Sequence, residues 1–433
     1  MSNKGKASLV PRLRFPGCEV EWCVRRLIDI VDNKKWSLTG GPFGSDLKSS
    51  DYTSNGVMVI QLQNIGDGVF IDANRIFTSE KKADELINCN IYPNEIIMSK
   101  MGDPVGRACI IPGIYARYLM CSDGIRLIIN ERKYVKYFIF SIINSYSFRK
   151  TLDNNSIGST RKRIGLSTLK YLPLTVPNDI LEQKKIAECL SSLDDLIAAE
   201  EKKLTALKIH KKGLLQKLFP TEGKTIPELR FPEYKDKGAW INKTLSECVY
   251  SSLEYGMNAA AIEYDGTNRY IRITDIDENS NEYISINPVS PKGELDIKYL
   301  VNENDILFTR TGASVGKTYL HKNKEGSYYF ASFLIRAKLK SEYNPIFFFI
   351  QTQSSYYLKW VKLISTRSGQ PGINSQEFSN YQFHITSKPE QQKIVDCLSS
   401  LDDHISAQSQ KIEMHKTHKK GLMQGLFPSI GEV

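Results

Sequence analysis

Two stretches of the chain carry apolar residues at alternating steps of four and three. The first seam runs through Ile186, Leu190, Leu193, Ile197, Leu204, Leu207, Leu214 and Leu218, with polar Glu200 and Lys211 at two stations. The second runs through Ile394, Leu398, Leu401, Ile405, Ile412, Leu422 and Leu426, with Gln408 and Lys419 at the matching polar stations and His415 in place of Leu207. A period of about 3.5 held over this length predicts helices wound on one another; a helix lying on its own domain keeps nearer 3.6 over a shorter span. Elsewhere the pattern shortens. Runs such as Ile60-Gln61-Leu62-Gln63-Asn64-Ile65 and Ile271-Arg272-Ile273-Thr274-Asp275-Ile276 alternate between Gly, Asn and Asp clusters, which predicts strands and turns. Helical stretches such as 134–145 follow, so each region between the seams reads as a mixed α/β domain.

The seams belong to a duplication. Glu182-Gln183-Lys184-Lys185-Ile186 returns as Glu390-Gln391-Gln392-Lys393-Ile394, and Cys189-Leu190-Ser191-Ser192-Leu193-Asp194-Asp195 returns unchanged at 397–403. His210-Lys211-Lys212-Gly213-Leu214 and Leu218-Phe219-Pro220 recur at the same constant offset. Such identity within one chain marks a repeat. Weaker anchors precede each copy: Leu13-Arg14-Phe15-Pro16 and Trp22 match Leu229-Arg230-Phe231-Pro232 and Trp240. Between anchors, Asn94-Glu95-Ile96-Ile97-Met98-Ser99-Lys100 aligns with Asn304-Asp305-Ile306-Leu307-Phe308-Thr309-Arg310 after a one-residue adjustment. The scaffolds are alike and their contents differ.

Charge sets the direction of the helix pair. Residues 181–201 hold six acids against two lysines, and 202–220 hold six lysines and no acid. The second helix is polarised the same way, more weakly. Antiparallel packing brings each acidic half against a basic half, and interhelical charge pairs select orientation in this way. A helix over 179–218 spans roughly 60 Å at 1.5 Å per residue. The expected architecture is thus two mixed α/β domains separated by two long helices in an antiparallel coiled coil, with pseudo-two-fold internal repetition.

Composition adds a partner class. A net charge of +10 and a pI near 9.0 suit nucleic acid or an acidic membrane surface. No run approaches the roughly 20 apolar residues that span a bilayer; the densest, Phe347-Phe348-Phe349-Ile350, fits a buried core. Residues 1–14 carry basic residues without an apolar signal-peptide core, so no signal peptide is expected. Eight cysteines without a C-x-x-C pair read as reduced thiols of a cytoplasmic protein, indicating neither a disulfide framework nor a zinc site.

Three motifs invite chemistry and do not hold it. Gly312-Ala313-Ser314-Val315-Gly316-Lys317-Thr318 looks like a phosphate-binding loop, but three residues separate its glycines where that loop needs four. Its repeat partner, Gly102-Asp103-Pro104-Val105-Gly106-Arg107-Ala108, lacks Lys-Thr altogether, which favours a turn. Asn344-Pro345-Ile346-Phe347 approaches an adenine-methyltransferase tetrapeptide, but Ile346 replaces its second proline and no cofactor loop accompanies it. His415 and His418 stand one helical turn apart without a completing ligand. No catalytic residue, metal or cofactor is expected.

The twin blocks ending Lys-Lys-Gly-Leu-Leu-Gln-Lys-Leu-Phe-Pro at 211–220 and its second copy, each preceded by Glu-Gln-(Lys/Gln)-Lys-Ile, carry a resemblance. So does Gly40-Gly41-Pro42-Phe43-Gly44-Ser45-Asp46-Leu47-Lys48. Over essentially its whole length the chain resembles the specificity subunits of Type I restriction-modification enzymes. The second copy departs at Gly425 for Lys217 and Met423 for Leu215. The resemblance implies that each domain reads one half of a bipartite, asymmetric double-stranded DNA site. It further implies that the coil docks two modification (adenine methyltransferase) subunits, with ATP-dependent restriction subunits joining the full complex. A self-contained methyltransferase-nuclease and a purely structural coiled-coil adaptor are the competing functions.

On that reading the chain divides into an arm at 1–16, a first target-recognition domain at 17–178 and a helix at 179–220. A linker at 221–235, a second target-recognition domain at 236–387 and a helix at 388–428 complete it. For DNA contact the candidates are polar residues alternating with buried ones: Gln61, Gln63 and Asn64, matched by Arg272, Thr274 and Asp275. Gln, Asn and Arg can grip base edges. Lys100 and Arg310 close the second matched pair. The runs holding Arg161, Lys162 and Arg163, and equivalently Arg367 and Gln370, suit phosphates.

Overall fold

The computed structural model describes residues 9–159, 161–278, 280–322, 325–366 and 371–428. Two helices of 39 residues each, Ile180–Leu218 and Lys388–Leu426, run through two compact units. One unit comprises Met1–Glu201 with Gln410–Val433, the other Lys202–Ser409. Each unit therefore holds the first half of one long helix together with the second half of the other.

In the first unit the helix halves run antiparallel. Lys419 Nζ lies 2.5 Å from Asp194 Oδ1, Lys411 Nζ 2.5 Å from Glu200 Oε1 and Lys416 Nζ 2.8 Å from Glu201 Oε1. From Asp194 with Lys419 to Glu200 with Lys411 one number rises as the other falls, and the acidic half faces the basic half. In the second unit Lys211 Nζ reaches Asp402 Oδ1 at 2.5 Å. Every station of both seams is buried or half-buried, the polar ones included. Glu200 and Gln408 interrupt the apolar stripe and are themselves buried, Glu200 against Lys411 of the facing helix.

The ends of the coil are fused into the globular cores. In the first unit Ile186, Leu190, Leu426 and Phe427 share one cluster with Trp22, Phe138 and Ile139. In the second, Leu218, Phe219, Ile394 and Leu398 join Trp240, Phe347 and Phe383. The repeated Leu-Phe-Pro thus ends each helix by inserting a phenylalanine among aromatics: Phe427 stands 5.8 Å from Phe138, and Phe219 stands 5.3 Å from Phe347.

The repeated Glu-Gln serves the same junction. Glu182 is fully buried and accepts from Arg14 Nε at 2.8 Å and Trp22 Nε1 at 3.1 Å. Glu390 accepts from Arg230 Nε at 2.6 Å and from the Thr386 hydroxyl. Gln183 takes the Val135 amide and donates to the Pro177 carbonyl; Gln391 does likewise with Asn344 and Thr386. A buried carboxylate is stable only when paired and hydrogen-bonded, so these residues pin each domain to its helix.

Each domain is built on a four-stranded antiparallel sheet. Its order is Leu38–Gly40, Gly124–Leu127, Ile96–Ser99, Ala108–Ile110 in the first unit. Glu254–Tyr255, Leu334–Ala337, Ile306–Thr309 and Thr318–Leu320 repeat that order in the second. Asn94 and Asn304 enter the third strand at positive φ (69° and 72°), a conformation asparagine tolerates better than most residues. A second layer contains one parallel pair per unit, Val57–Ile60 with Tyr118–Met120 and Asn268–Ile271 with Ser327–Phe330. Serines cap the following helices: Ser145 accepts from Phe148 N, and Ser354 from Tyr357 N.

The loop resembling a phosphate site is a turn. Gly106 and Gly316 sit at φ near 75° and 80°, and a Cβ there would stand 2.7 Å from Leu152 and 2.4 Å from Val361. Lys317 Nζ donates to the Ile276 carbonyl at 3.1 Å, holding a neighbouring turn. The eight cysteines are free thiols; burial pushes Cys109 up to about 12 and Cys89 up to about 11. Such thiols are inert at neutral pH.

Candidate nucleic-acid interface

One end of each four-stranded sheet is framed by the same backbone hydrogen bonds. In the first unit Lys100 N donates to Asp123 O at 2.6 Å and Ile164 N to Lys100 O at 3.0 Å. In the second, Arg310 N donates to Phe333 O at 3.0 Å and Ile373 N to Arg310 O at 2.8 Å. A glycine lets the neighbouring strand close on this frame in both. A Cβ on Gly41 would lie 1.8 Å from the Cys121 carbonyl oxygen, and one on Gly256 would lie 2.2 Å from that of Ala331. Only glycine fits such an approach.

The side chains on the two frames differ. In the first unit Lys162–Arg163 pairs antiparallel with Met101–Gly102, and Ile157 exchanges both backbone hydrogen bonds with Arg163. Arg163 Nη2 stands 2.7 Å from Asp123 Oδ1, and Lys162 Nζ stands 2.5 Å from Asp153 Oδ2. Arg161 is exposed beside them. Lys100, Arg161, Lys162 and Arg163, far apart in sequence, are thus gathered on one ribbon. In the second unit the Arg310 guanidinium lies 4.8 Å from the centre of the Tyr255 ring, and Thr311 bridges Gly372. Arg367 and Gln370 lie outside the described residues.

The other candidates are placed differently from their sequence expectation. Gln61, Gln63 and Asn64 do not alternate along a strand. The strand ends at Ile60, and Leu62–Asn64 is a 3-10 turn, matched by Ile273–Asp275. Asn64 is fully buried: its Oδ1 takes the Gln61 amide at 2.9 Å, and its Nδ2 donates to the Ile71 and Ala73 carbonyls. With its amide spent in this way it holds the turn and cannot reach a base. Asp275 holds the matching turn, accepting from the Arg272 amide at 2.9 Å and gripping its guanidinium at 2.8 and 2.7 Å. Arg272 is thereby tied to its own turn, and the exposed side chains left there are Gln63 and Thr274. Arg107 and Lys317 brace these turns from below through the Leu62 and Ile276 carbonyls.

Sequence reasoning missed Asp123, Ile157, Tyr255 and Phe333. Their only sequence signal is position. Cys121-Ser122-Asp123-Gly124 and Ala331-Ser332-Phe333-Leu334 occupy the same turn but share only the serine.

The sequence profile described as Type I restriction modification DNA specificity domain matches residues 19–208 and 253–414. The putative type I restriction enzyme MjaX specificity subunit of Methanocaldococcus jannaschii is 21% identical over 427 residues, covering 94% of this chain and 93% of that protein. The MjaVIII specificity subunit of the same organism is 24% identical over 202 residues, 46% of this chain and 45% of that protein. Among solved structures, the S subunit of a Type-I restriction-modification system from M. genitalium superposes with a TM-score of 0.56. It is 16% identical, and the match covers 97% of this chain and 99% of that one. A chain from a type I R-M system, solved to show its complex assembly and conformational transition, superposes with a TM-score of 0.58 at 12% identity. That match covers 95% of this chain and 99% of that one.

Proposed function

The chain belongs to the type I restriction-modification DNA specificity family, and from that premise we propose that each unit reads one half of a bipartite, asymmetric DNA site. One observation carries the reading: frames that match hydrogen bond for hydrogen bond present unlike side chains at the same sheet end. Equal frames dock equally on a duplex, and unlike side chains select unlike bases. The excess of positive charge supplies the sequence-independent part of binding. Gln63, Thr274, Lys100, Arg310 and Arg161 to Arg163, with Arg367 and Gln370, are the residues proposed to face DNA, in cytoplasm.

The coil sets the distance between half-sites and docks two modification subunits, which bring the methyl-transfer chemistry; restriction subunits bring the ATP-driven step. The chain itself performs recognition and no covalent chemistry. Among the described residues no helix is long and apolar enough to cross a membrane.

The test replaces residues 17–178 with the equivalent segment of a relative and maps methylated adenines genome-wide in cells carrying the whole system. One half-site changes and the other stays. If both half-sites change, the reading is wrong. Inserting one heptad in a long helix sharpens it: seven residues add about 10 Å, roughly three base pairs. Either the spacing between half-sites shifts or binding is lost.

A further inference from the structure

The ribbon of the first unit holds a constellation that the proposed reading does not itself assign. Ile157 and Arg163 are directly opposed and exchange both hydrogen bonds, so their side chains share one face. Lys162, one residue away, points to the other face and is paired there with Asp153. On the shared face Ile157 is 83% exposed, one of the two most exposed large apolar residues described. Arg163 keeps half of its side chain in solvent while Asp123, itself only 15% exposed, holds one Nη2 at 2.7 Å.

A phosphate-binding arginine gains nothing from a carboxylate neighbour, which repels the ligand and occupies a donor. A base-reading arginine does gain. The carboxylate fixes the plane of the guanidinium, and the five-donor fork retains hydrogens for a second partner. Guanine presents two acceptors, O6 and N7, to such a fork in the major groove, and a narrow β-ribbon fits that groove. On the same face the bare Ile157 side chain offers apolar surface beside that charge. It is matched by the thymine C5-methyl group, the one apolar feature of the major-groove edge.

We infer that Arg163, oriented by Asp123, reads a guanine of the half-site assigned to the first unit, and that Ile157 packs on a thymine methyl at a neighbouring position. Arg163 is then a specificity-determining residue and Asp123 a positioning residue. The inference rests on the proposed reading of that unit as a half-site reader.

The experiment uses the complete chain assembled with its modification subunits. Its mapped site is prepared as duplexes, each changed at one position, and binding is compared for the native chain, Arg163→Lys, Asp123→Asn, Ile157→Ala and Lys162→Ala. Arg163→Lys reduces discrimination against loss of one G·C pair by about tenfold, the scale of a bidentate arginine contact. Asp123→Asn relaxes the same position less, and Ile157→Ala relaxes an A·T pair beside it. Lys162→Ala, on the opposite face and suited to a phosphate, weakens binding equally on every duplex and leaves the sequence preference as it was. An equal fall on every duplex with Arg163→Lys assigns Arg163 to the phosphate backbone and overturns the inference. Unchanged binding on every duplex overturns it as well. Failure of the parent reading looks different: replacing residues 17–178 would then leave the first half-site unaltered.

Discussion

At the helix junction the two units use the same parts. Glu182 grips Arg14 and Glu390 grips Arg230; Gln183 and Gln391 each take an amide and give to a carbonyl. At the sheet end they part company. The frame that carries Lys100 and Asp123 in one unit carries Arg310 and Phe333 in the other, Arg163 meeting a carboxylate while Arg310 lies over an aromatic ring. Residues that hold each domain on the coil are constrained by both partners. Residues on the frame's outer side are constrained by backbone bonds that take any side chain, so they are free to vary.

The strongest way to break this comparison is to ask whether one unit can stand in for the other. A chain ending near residue 223 retains the first domain and first helix. Two copies packed antiparallel would offer each domain Leu218-Phe219 in place of Leu426-Phe427. Such a pairing is isologous. The fragment is expected to dimerise and direct methylation to two inverted copies of one half-site. Sedimentation with the modification subunit and methylome mapping check this; a monomer, or the original asymmetric site, refutes it. The structure also locates a weak point. Gly425 has Lys217 as its counterpart, and a Cβ at Gly425 would stand 2.4 Å from Leu13, so the dimer should be looser than the native coil.

Next in size are the junction carboxylates. Glu390→Ala leaves Arg230 buried without its counter-charge, its side chain only 6% exposed. Loss of one partner from a buried pair costs about 3–5 kcal/mol. Glu182→Ala should cost less, because the Arg14 side chain is 15% exposed and can recover water. Thermal melting of the two variants checks the order, and equal losses would mean that burial of the arginine does not decide it.

How much of this was legible in the sequence follows from how local each signal is. The seam was legible down to its polar stations, because heptad spacing is a property of a single helix. Antiparallel packing was legible because charge changes sign along each helix. The Glu-Gln repeat was visible but silent, since Glu182 meets Arg14 across 168 positions. Asn64 was misjudged for a physical reason: over six residues, a strand running into a 3-10 turn alternates like a strand. Asp123 and Ile157 were out of reach, because what distinguishes them is the arginine that folding brings between them.

A smaller effect is expected at the glycines beneath the frame. Gly41→Ala and Gly256→Ala each force a methyl against a backbone carbonyl, and overpacking of this kind costs about 1–3 kcal/mol. Each should weaken recognition of its own half-site and spare the other, read by methylation at sites altered in one half. Loss at both half-sites from either change would mean that the frames are not independent.

The smallest effect separates the units by pH. His384 is buried on the strand Gln382–Ile385, opposite Asn242, as Thr175 is opposite Val24 in the first unit. Its ring lies 5.4 Å from that of Tyr356, and neither ring nitrogen has a partner among the described residues. Gln351 beside it bonds its backbone and leaves the imidazole alone. Burial therefore holds the imidazole below its ordinary pKa of 6.5. In the window between that lowered value and 6.5 the unfolded chain takes up a proton that the folded chain refuses, so stability falls as pH falls. The slope is at most about 1.4 kcal/mol per pH unit. Thr175 does not titrate, so the first unit lacks this contribution. Melting followed from pH 7.5 to 5.5 should show the second unit losing more than the first, and His384→Phe should remove the excess. If the excess survives that substitution, the proton is taken up elsewhere and the two units do not differ at this strand.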